Sequence, residues 1–266
     1  RELLNNNKGF EKKYSDYLLD VNNFEMINEI FKKYQPDIVY HAAASKHVDL
    51  VERNWFHGSL NNILSTFNIC KCSNLYDVKK IIFISTDKAV DPINFLGLSK
   101  CAGEKITKSF GSYNKNLNFS VVRFGNVVGS SGSLLDAIKH KLSISNSIDI
   151  TDKNMTRYFM TISDAVNLVI ISTKISKNGD CHVLKMGEPV KIMDIVNSIV
   201  QQNNLYKGIE KKNIKINFTG IRPGEKLHEK LFDELKIEKT INKFKLNENF
   251  KFKTSEVFIQ DFLDKL

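Results

Sequence analysis

The sequence predicts an α/β fold: a parallel, doubly wound sheet with a smaller C-terminal region. Three observations lead there. Apolar runs rich in β-branched residues, VKKIIFI at 78–84 and FSVVRF at 119–124, read as buried strands of a parallel sheet. Helical patterns alternate with them; residues 24–34 place Phe24, Ile27, Ile30 and Phe31 on one face. Polar, glycine- and serine-bearing loops follow the strands, at the carboxyl ends where open α/β sheets bind ligands.

Composition narrows the class. The 266 residues suffice for one large domain or two small ones, and 42% hydrophobic with 26% charged is ordinary for a globular chain. No apolar run approaches the ~18 residues of a membrane span, and the polar start, RELLNNNKGFEKK, is no signal peptide. Lys and Arg number 39 against 30 Asp and Glu, a net charge of +9. The lysines are spread along the chain, so no nucleic-acid partner is expected. Cys70, Cys72, Cys101 and Cys181 form no C-x-x-C pair and no metal spacing. They read as reduced thiols of a cytoplasmic protein, with no metal site.

In chain order, Asn22 or Asn23 caps the helix at 24–34. Residues 36–44 (PDIVYHAAA) are a strand running into small residues, which let a ligand approach the backbone. His41 reads as a packed core histidine. Asn61 opens a helix that runs to Leu75. After the strand at 78–84 come Ser85, Thr86, Asp87 and Lys88; Asp91-Pro92 turns the chain into a helix at 95–110, with Lys100 on its first turns. An acid and an amine side by side can give and take protons. Beyond the strand at 119–124, GNVVGSSGS offers free backbone N–H groups to phosphate or sugar oxygens. Arg157 is a candidate anion clamp. A helix at 162–173, a short strand within 179–189, a helix at 191–202 and a strand at 213–218 follow. In GIRPGEKLHE, Pro-Gly makes a turn that presents Arg222 and Glu225. A last helix is expected at 255–266.

STDKAV before a helix with x-x-x-Lys, together with HAAASKHV, RFGNVVGSSGS, MGEPVKIMDIV and RPGEK, resembles the extended short-chain dehydrogenases/reductases. Within these it looks like the UDP-N-acetylglucosamine 4,6-dehydratases of polysaccharide biosynthesis, in their long, membrane-anchored branch. The usual Tyr-x-x-x-Lys of the extended short-chain dehydrogenases/reductases has Leu96 in place of the tyrosine here; the long branch also lacks that tyrosine, usually having Met there. The resemblance implies that hydride leaves sugar C4 for a nicotinamide, water is eliminated across C5 and C6, and hydride returns to C6. It implies Lys88 as the base at C5, Asp87 as the acid at the C6 hydroxyl, Thr86 on the 4-hydroxyl, and Lys100 on the nicotinamide ribose. Cofactor contacts implied are Asp20 and Val21 at the adenine, Ala42, Ala43 and Ala44 beside the cofactor, Asn62 propping the strand, and Ser85. Substrate contacts implied are Lys46, His47, Asn126, Arg157, Arg222 and Glu225.

Rossmann folds open with a strand and G-x-G-x-x-G, a string absent from this sequence. The resemblance begins after the family's second strand, so it implies a chain truncated at its N-terminus, with residues 1–128 as an incomplete dinucleotide-binding core to which 159–184 return. Residues 129–266 then form mainly a UDP-sugar-binding region. NADP is the expected cofactor, NAD remaining open; a homo-oligomer is implied, and any membrane anchor would precede residue 1. The rival readings are a nucleotide-sugar 4-epimerase, which relies on the tyrosine missing here, and a catalytically inactive binding protein.

Overall fold

The computed structural model describes residues 14–130, 132–184, 186–206, 214–232 and 239–241. Its centre is a five-stranded, all-parallel sheet in the order β1 (Ile38–His41), β2 (Lys80–Thr86), β3 (Asn118–Phe124), β8 (Cys181–Leu184) and β11 (Lys239–Ile241). The fold class is the one the apolar runs predict. The runs are one to two residues out of phase with the strands: β2 begins at Lys80, and Val78 is a buried anchor before it. The pairing of β11 with β8 has no signal in the sequence.

Helices cover both faces. On one, α1 (Phe24–Tyr34), α3 (Trp55–Leu75) and α4 (Phe95–Tyr113) bring Ile27, Phe31, Ile69 and Phe110 around Ile81 and Phe119. On the other, Ala165 and Leu168 of α6 (Ile162–Ile175) pack with Ile82, Val122 and Val183. Asn23, rather than Asn22, caps α1, accepting from Met26 N at 3.1 Å. Thr161 and Asp164 form a reciprocal capping box at the start of α6. α3 starts at Trp55, six residues before the start expected at Asn61. The short α2 (Val48–Arg53) precedes it; its one buried residue, Val51, gives too short a pattern for periodicity to detect.

A second layer sits beyond the carboxyl ends of the sheet. It is built from β4 (Asn126–Val127), α5 (Leu134–Ile144), β5 (Ser147–Ile150), β6 (Thr156–Arg157), β7 (Phe159–Met160), β9 (Val190–Lys191), α7 (Ile192–Tyr206) and β10 (Lys215–Phe218). Three two-stranded pairings tie it together: β5 with β10, β4 with β7 and β6 with β9. Its own core gathers Val128, Ile138, Ile148, Ile150, Ile192 and Val196. Lys191, expected to open a helix, is instead the end of β9. The helix expected at 255–266 lies outside the described residues. Among the described residues all four cysteines are free, and no helix is long and apolar enough to cross a membrane.

Candidate active site

Where the carboxyl ends of β1, β2 and β3 meet the second layer there is a cleft of about 420 Å³. Ala42 and Ala44 line it after β1, Ser85 and Thr86 at the end of β2 with Lys88 just beyond, and Gly125, Asn126 and Val128 after β3. Lys46, His47, Leu96 and Lys100 complete much of the wall. The two small alanines leave room there that a larger side chain would fill. A recess of about 150 Å³ continues past Asn126 and Leu134, lined by Asp149, Arg157 and Glu225 among others.

At the end of β2, Thr86 caps a single 3-10 turn, Asp87–Ala89. α4 packs directly on that turn because residue 97 is glycine: a Cβ there would collide with the carbonyl oxygen of Lys88. Asn94 caps α4 by accepting from Gly97 N at 2.6 Å, and Glu52 of α2 accepts from Phe95 N at 2.6 Å. The turn is thus held from above and below. Lys88 Nζ donates to Asp87 Oδ1 at 3.0 Å and to Asn126 Oδ1 at 3.5 Å, while Thr86 Oγ1 donates to the same Asp87 oxygen at 2.9 Å. Asp87 is buried and off the cleft wall, behind Thr86 and Lys88. Its second oxygen, Oδ2, accepts no hydrogen bond. Burial pulls the pKa of Lys88 down, but the charges of Asp87 and then Glu229 outweigh burial and raise it.

Lys100 reaches back from α4, donating to Ile84 O at 2.9 Å and lying 4.8 Å from the centre of the Phe83 ring. Burial pushes its pKa down to about 8, against the pull of the Glu104 carboxylate. Beneath it, Arg123 of β3 binds Glu104 of α4 through two 2.7 Å bonds, and Ser85 donates to Glu104 at 2.6 Å. That buried triad braces the end of β2 on which Thr86 stands. His41 is the core histidine the sequence predicts: it is buried 3.0 Å from Thr66 Oγ1, and burial followed by the charge of Lys100 holds its pKa at about 4.

The remaining predicted residues scatter in role. Asn62 is buried and holds the loop after β1, accepting from Ser45 N at 2.7 Å and donating to Ser99 at 2.9 Å. His47 packs under the glycine-rich loop: a Cβ on Gly132, which also has φ +68°, would lie 2.5 Å from its ring. Ser131 of that loop lies outside the described residues. Asp20 caps its own turn, accepting from Asn22 N at 2.9 Å, Val21 joins the core beside α1, and Ala43 is not on the cleft wall. Arg157 is buried and donates to the carbonyls of Thr156, Lys226 and Leu227. Arg222 is exposed, its backbone N–H bound to Glu225 Oε2 at 3.2 Å. Sequence reasoning missed Glu104, Arg123 and Glu229. Arg123 opens the recognised RFGNVVGSSGS string and Glu229 sits in RPGEKLHE, the two signals available; Glu104 had none.

The family described as polysaccharide biosynthesis protein matches residues 2–249. This chain belongs to that family. Among its relatives is CapD, a capsular polysaccharide biosynthesis protein of Staphylococcus aureus, 40% identical over 220 residues, or 83% of this chain and 36% of that protein. A UDP-glucose 4-epimerase of Rickettsia bellii is 35% identical over 217 residues, 81% of this chain and 61% of the epimerase. A UDP-N-acetylglucosamine 4,6-dehydratase (inverting) of Campylobacter jejuni is 35% identical over 196 residues, 73% of this chain and 55% of the dehydratase. The solved structure of Pen from Bacillus thuringiensis superposes with a TM-score of 0.76 at 33% identity, covering 87% of this chain and 71% of that one. This polysaccharide biosynthesis family member therefore spans little more than a third of the length of CapD.

Proposed function

We propose that the cleft belongs to a UDP-N-acetylglucosamine 4,6-dehydratase serving surface polysaccharide assembly. The observation that carries this is the Thr86–Asp87–Lys88 turn, with an amine and a carboxyl 3.0 Å apart at the cleft and a threonine hydroxyl on the same carboxyl. Eliminating water from a sugar needs a base at one carbon and an acid at the leaving oxygen. In the resting pair the proton is on Lys88. Passing it along the Lys88–Asp87 hydrogen bond creates both required forms together, a neutral amine and a carboxylic acid. Lys88 then takes the C5 proton as the C6–oxygen bond breaks, and the Asp87 proton leaves with the hydroxyl as water. Across the elimination the pair ends as it began; when hydride returns to C6, Lys88 gives a proton to C5, and the proton released from the 4-hydroxyl on oxidation balances it. Because Asp87 is buried behind Thr86, the Thr86 hydroxyl is the path from that carboxyl to the cleft, a role beside its grip on the 4-hydroxyl.

The wall of Ala42, Ala44, Ser85 and Lys100 fits the nicotinamide–ribose end of a dinucleotide, since small side chains admit the ring and a buried amine with a lowered pKa suits a ribose hydroxyl. When bound, that group accepts and returns the hydride; NADP is our expectation. Lys100 orients the ribose, and Leu96, buried on the cleft wall where the wider superfamily has tyrosine, excludes water without donating a proton. Arg157 and Glu225 in the adjoining recess, with Arg222 from the same turn as Glu225, hold the UDP portion.

A nucleotide-sugar 4-epimerase is the second reading, favoured by the Rickettsia relative. It needs the hydride step but no acid–base pair for C5 and C6. Proton NMR of the products made by the natural full-length protein from UDP-N-acetylglucosamine separates the two. A 4-keto sugar with a new C6 methyl doublet is expected. A C4 epimer with its C6 hydroxymethyl intact would replace the dehydratase reading with the epimerase.

A further inference from the structure

The C-terminal segment brings a third carboxyl to the acid–base pair. Glu229 is buried, with 3% of its side chain exposed. Its Oε1 lies 3.6 Å from Lys88 Nζ, and its Oε2, 3.8 Å from Lys226 Nζ, accepts no hydrogen bond. A buried carboxyl with an unsatisfied oxygen lowers stability. Its place is not an accident of one rotamer. The same segment is tied to residues 88–94 at three further points: Lys226 Nζ donates to Val90 O at 2.6 Å, Asn94 Nδ2 to Gly224 O at 2.7 Å, and Lys230 Nζ to Asp91 Oδ2 at 3.2 Å.

We propose that Glu229 is a positioning residue for Lys88: it fixes the aim of the amine and keeps it an ammonium until Asp87 takes the proton. This rests on the dehydratase reading. The charged groups facing Lys88 are Asp87 from its own turn, Glu229 from the C-terminal segment and Arg157 from β6; Lys226 faces Glu229 in turn. Burial and Arg157 push the proton off Lys88, and Asp87 and Glu229 together hold it on. With Glu229 neutralised, Asp87 alone opposes burial and Arg157, so Lys88 releases its proton at lower pH. The amine is also left with one charged anchor instead of two.

The test uses Glu229→Gln and Glu229→Asp in the natural full-length protein. Lys88 is titrated by 15N-lysine NMR without substrate, its signal assigned by Lys88→Arg. Turnover of UDP-N-acetylglucosamine is measured across pH. For Glu229→Gln we expect the Lys88 titration and the matching limb of the kcat profile to move to lower pH. We expect kcat to fall roughly 10–100-fold, the cost of a misaimed group, with KM little changed. Glu229→Asp keeps the charge one methylene further away, so it should move both readouts the same way by less; it also serves if the glutamine variant does not fold. A loss of activity with the Lys88 titration unmoved would overturn the proposal, because a merely structural carboxylate gives that result. If the wild type makes no keto sugar, the dehydratase reading fails, while the substrate-free titration still decides whether Glu229 governs Lys88.

Discussion

Lys100→Met should make the protein more stable at neutral pH and less stable at high pH. Lys100 is buried, and its pKa falls from 10.5 in an open chain to about 8, so folding holds its charged form at a cost below pH 8. The shift is 10.5 − 8 = 2.5 pH units, which at about 1.4 kcal/mol per unit is about 3 kcal/mol. The folded pKa is the lower one, so between pH 8 and 10.5 the unfolded chain binds more protons than the folded one. Stability therefore rises with pH through that window, and the penalty is gone above it. Methionine removes the charge at similar length but loses the hydrogen bond to Ile84 O, roughly 1 kcal/mol. The variant should gain about 2 kcal/mol at pH 7 and lose about 1 kcal/mol at pH 10.5 or above. Urea unfolding of both proteins at intervals from pH 7 to 10.5 measures the difference, with all other titrating groups common to both. A difference that does not change with pH would refute the buried, pKa-lowered lysine. On the dehydratase reading, turnover should also be lost at every pH, the stability gained being offset by lost function.

His41 works in the opposite window. Its folded pKa of about 4 lies below the open-chain 6.5, so stability is lost as pH falls from 6.5 to 4, by about 3 kcal/mol. His41→Gln should flatten that part of the urea-unfolding profile, and an unchanged acid sensitivity would show that another group is responsible. Arg123→Met leaves the Glu104 carboxylate buried without its bidentate partner and should cost about 3–5 kcal/mol; replacing both residues with methionine should recover most of it, as measured by the same unfolding. Asp87→Asn keeps the shape but cannot hand on a proton, so turnover should fall roughly 10²–10⁴-fold with substrate binding little altered. Wild-type turnover in that variant would remove Asp87 from the mechanism. Arg222→Lys keeps the charge but loses the planar fork. UDP affinity by calorimetry should weaken roughly tenfold, with stability unchanged because the side chain is exposed, and an unchanged affinity would reduce RPGE to a turn.

Much of the fold was written locally. A β-branched run between polar turns marks a parallel strand wherever it lands, and so β2 and β3 were legible to within two residues. Thr86 and Lys88 were legible for a related reason: they stand at and just beyond the carboxyl end of one parallel strand, where such sheets bind ligands. Lys100 was legible only through the resemblance, because a lysine on a helix otherwise reads as part of its solvated face. The start of α3 was not, because Trp55, Phe56 and Leu60 lie exposed on it and give no one-sided apolar stripe to count from. The contact Asp20 makes in its own turn is local as well: a short carboxylate there finds the nearest backbone N–H first.

By itself the sequence determined the element types, their alternation and the short strings whose chemistry is contained in adjacent residues. The tertiary structure alone decided which distant side chains meet. Sheet order sets Arg123 of β3 against Glu104 of α4, and the docking of the 224–230 segment sets Glu229 against Lys88. It also decided that Asp87, adjacent to Lys88 in sequence, stands behind it and off the cleft wall. The physical reason is one of range. Propensity, capping and periodicity act over a few residues along the chain, whereas burial and charge pairing act over a few ångströms of space, and only packing relates the two.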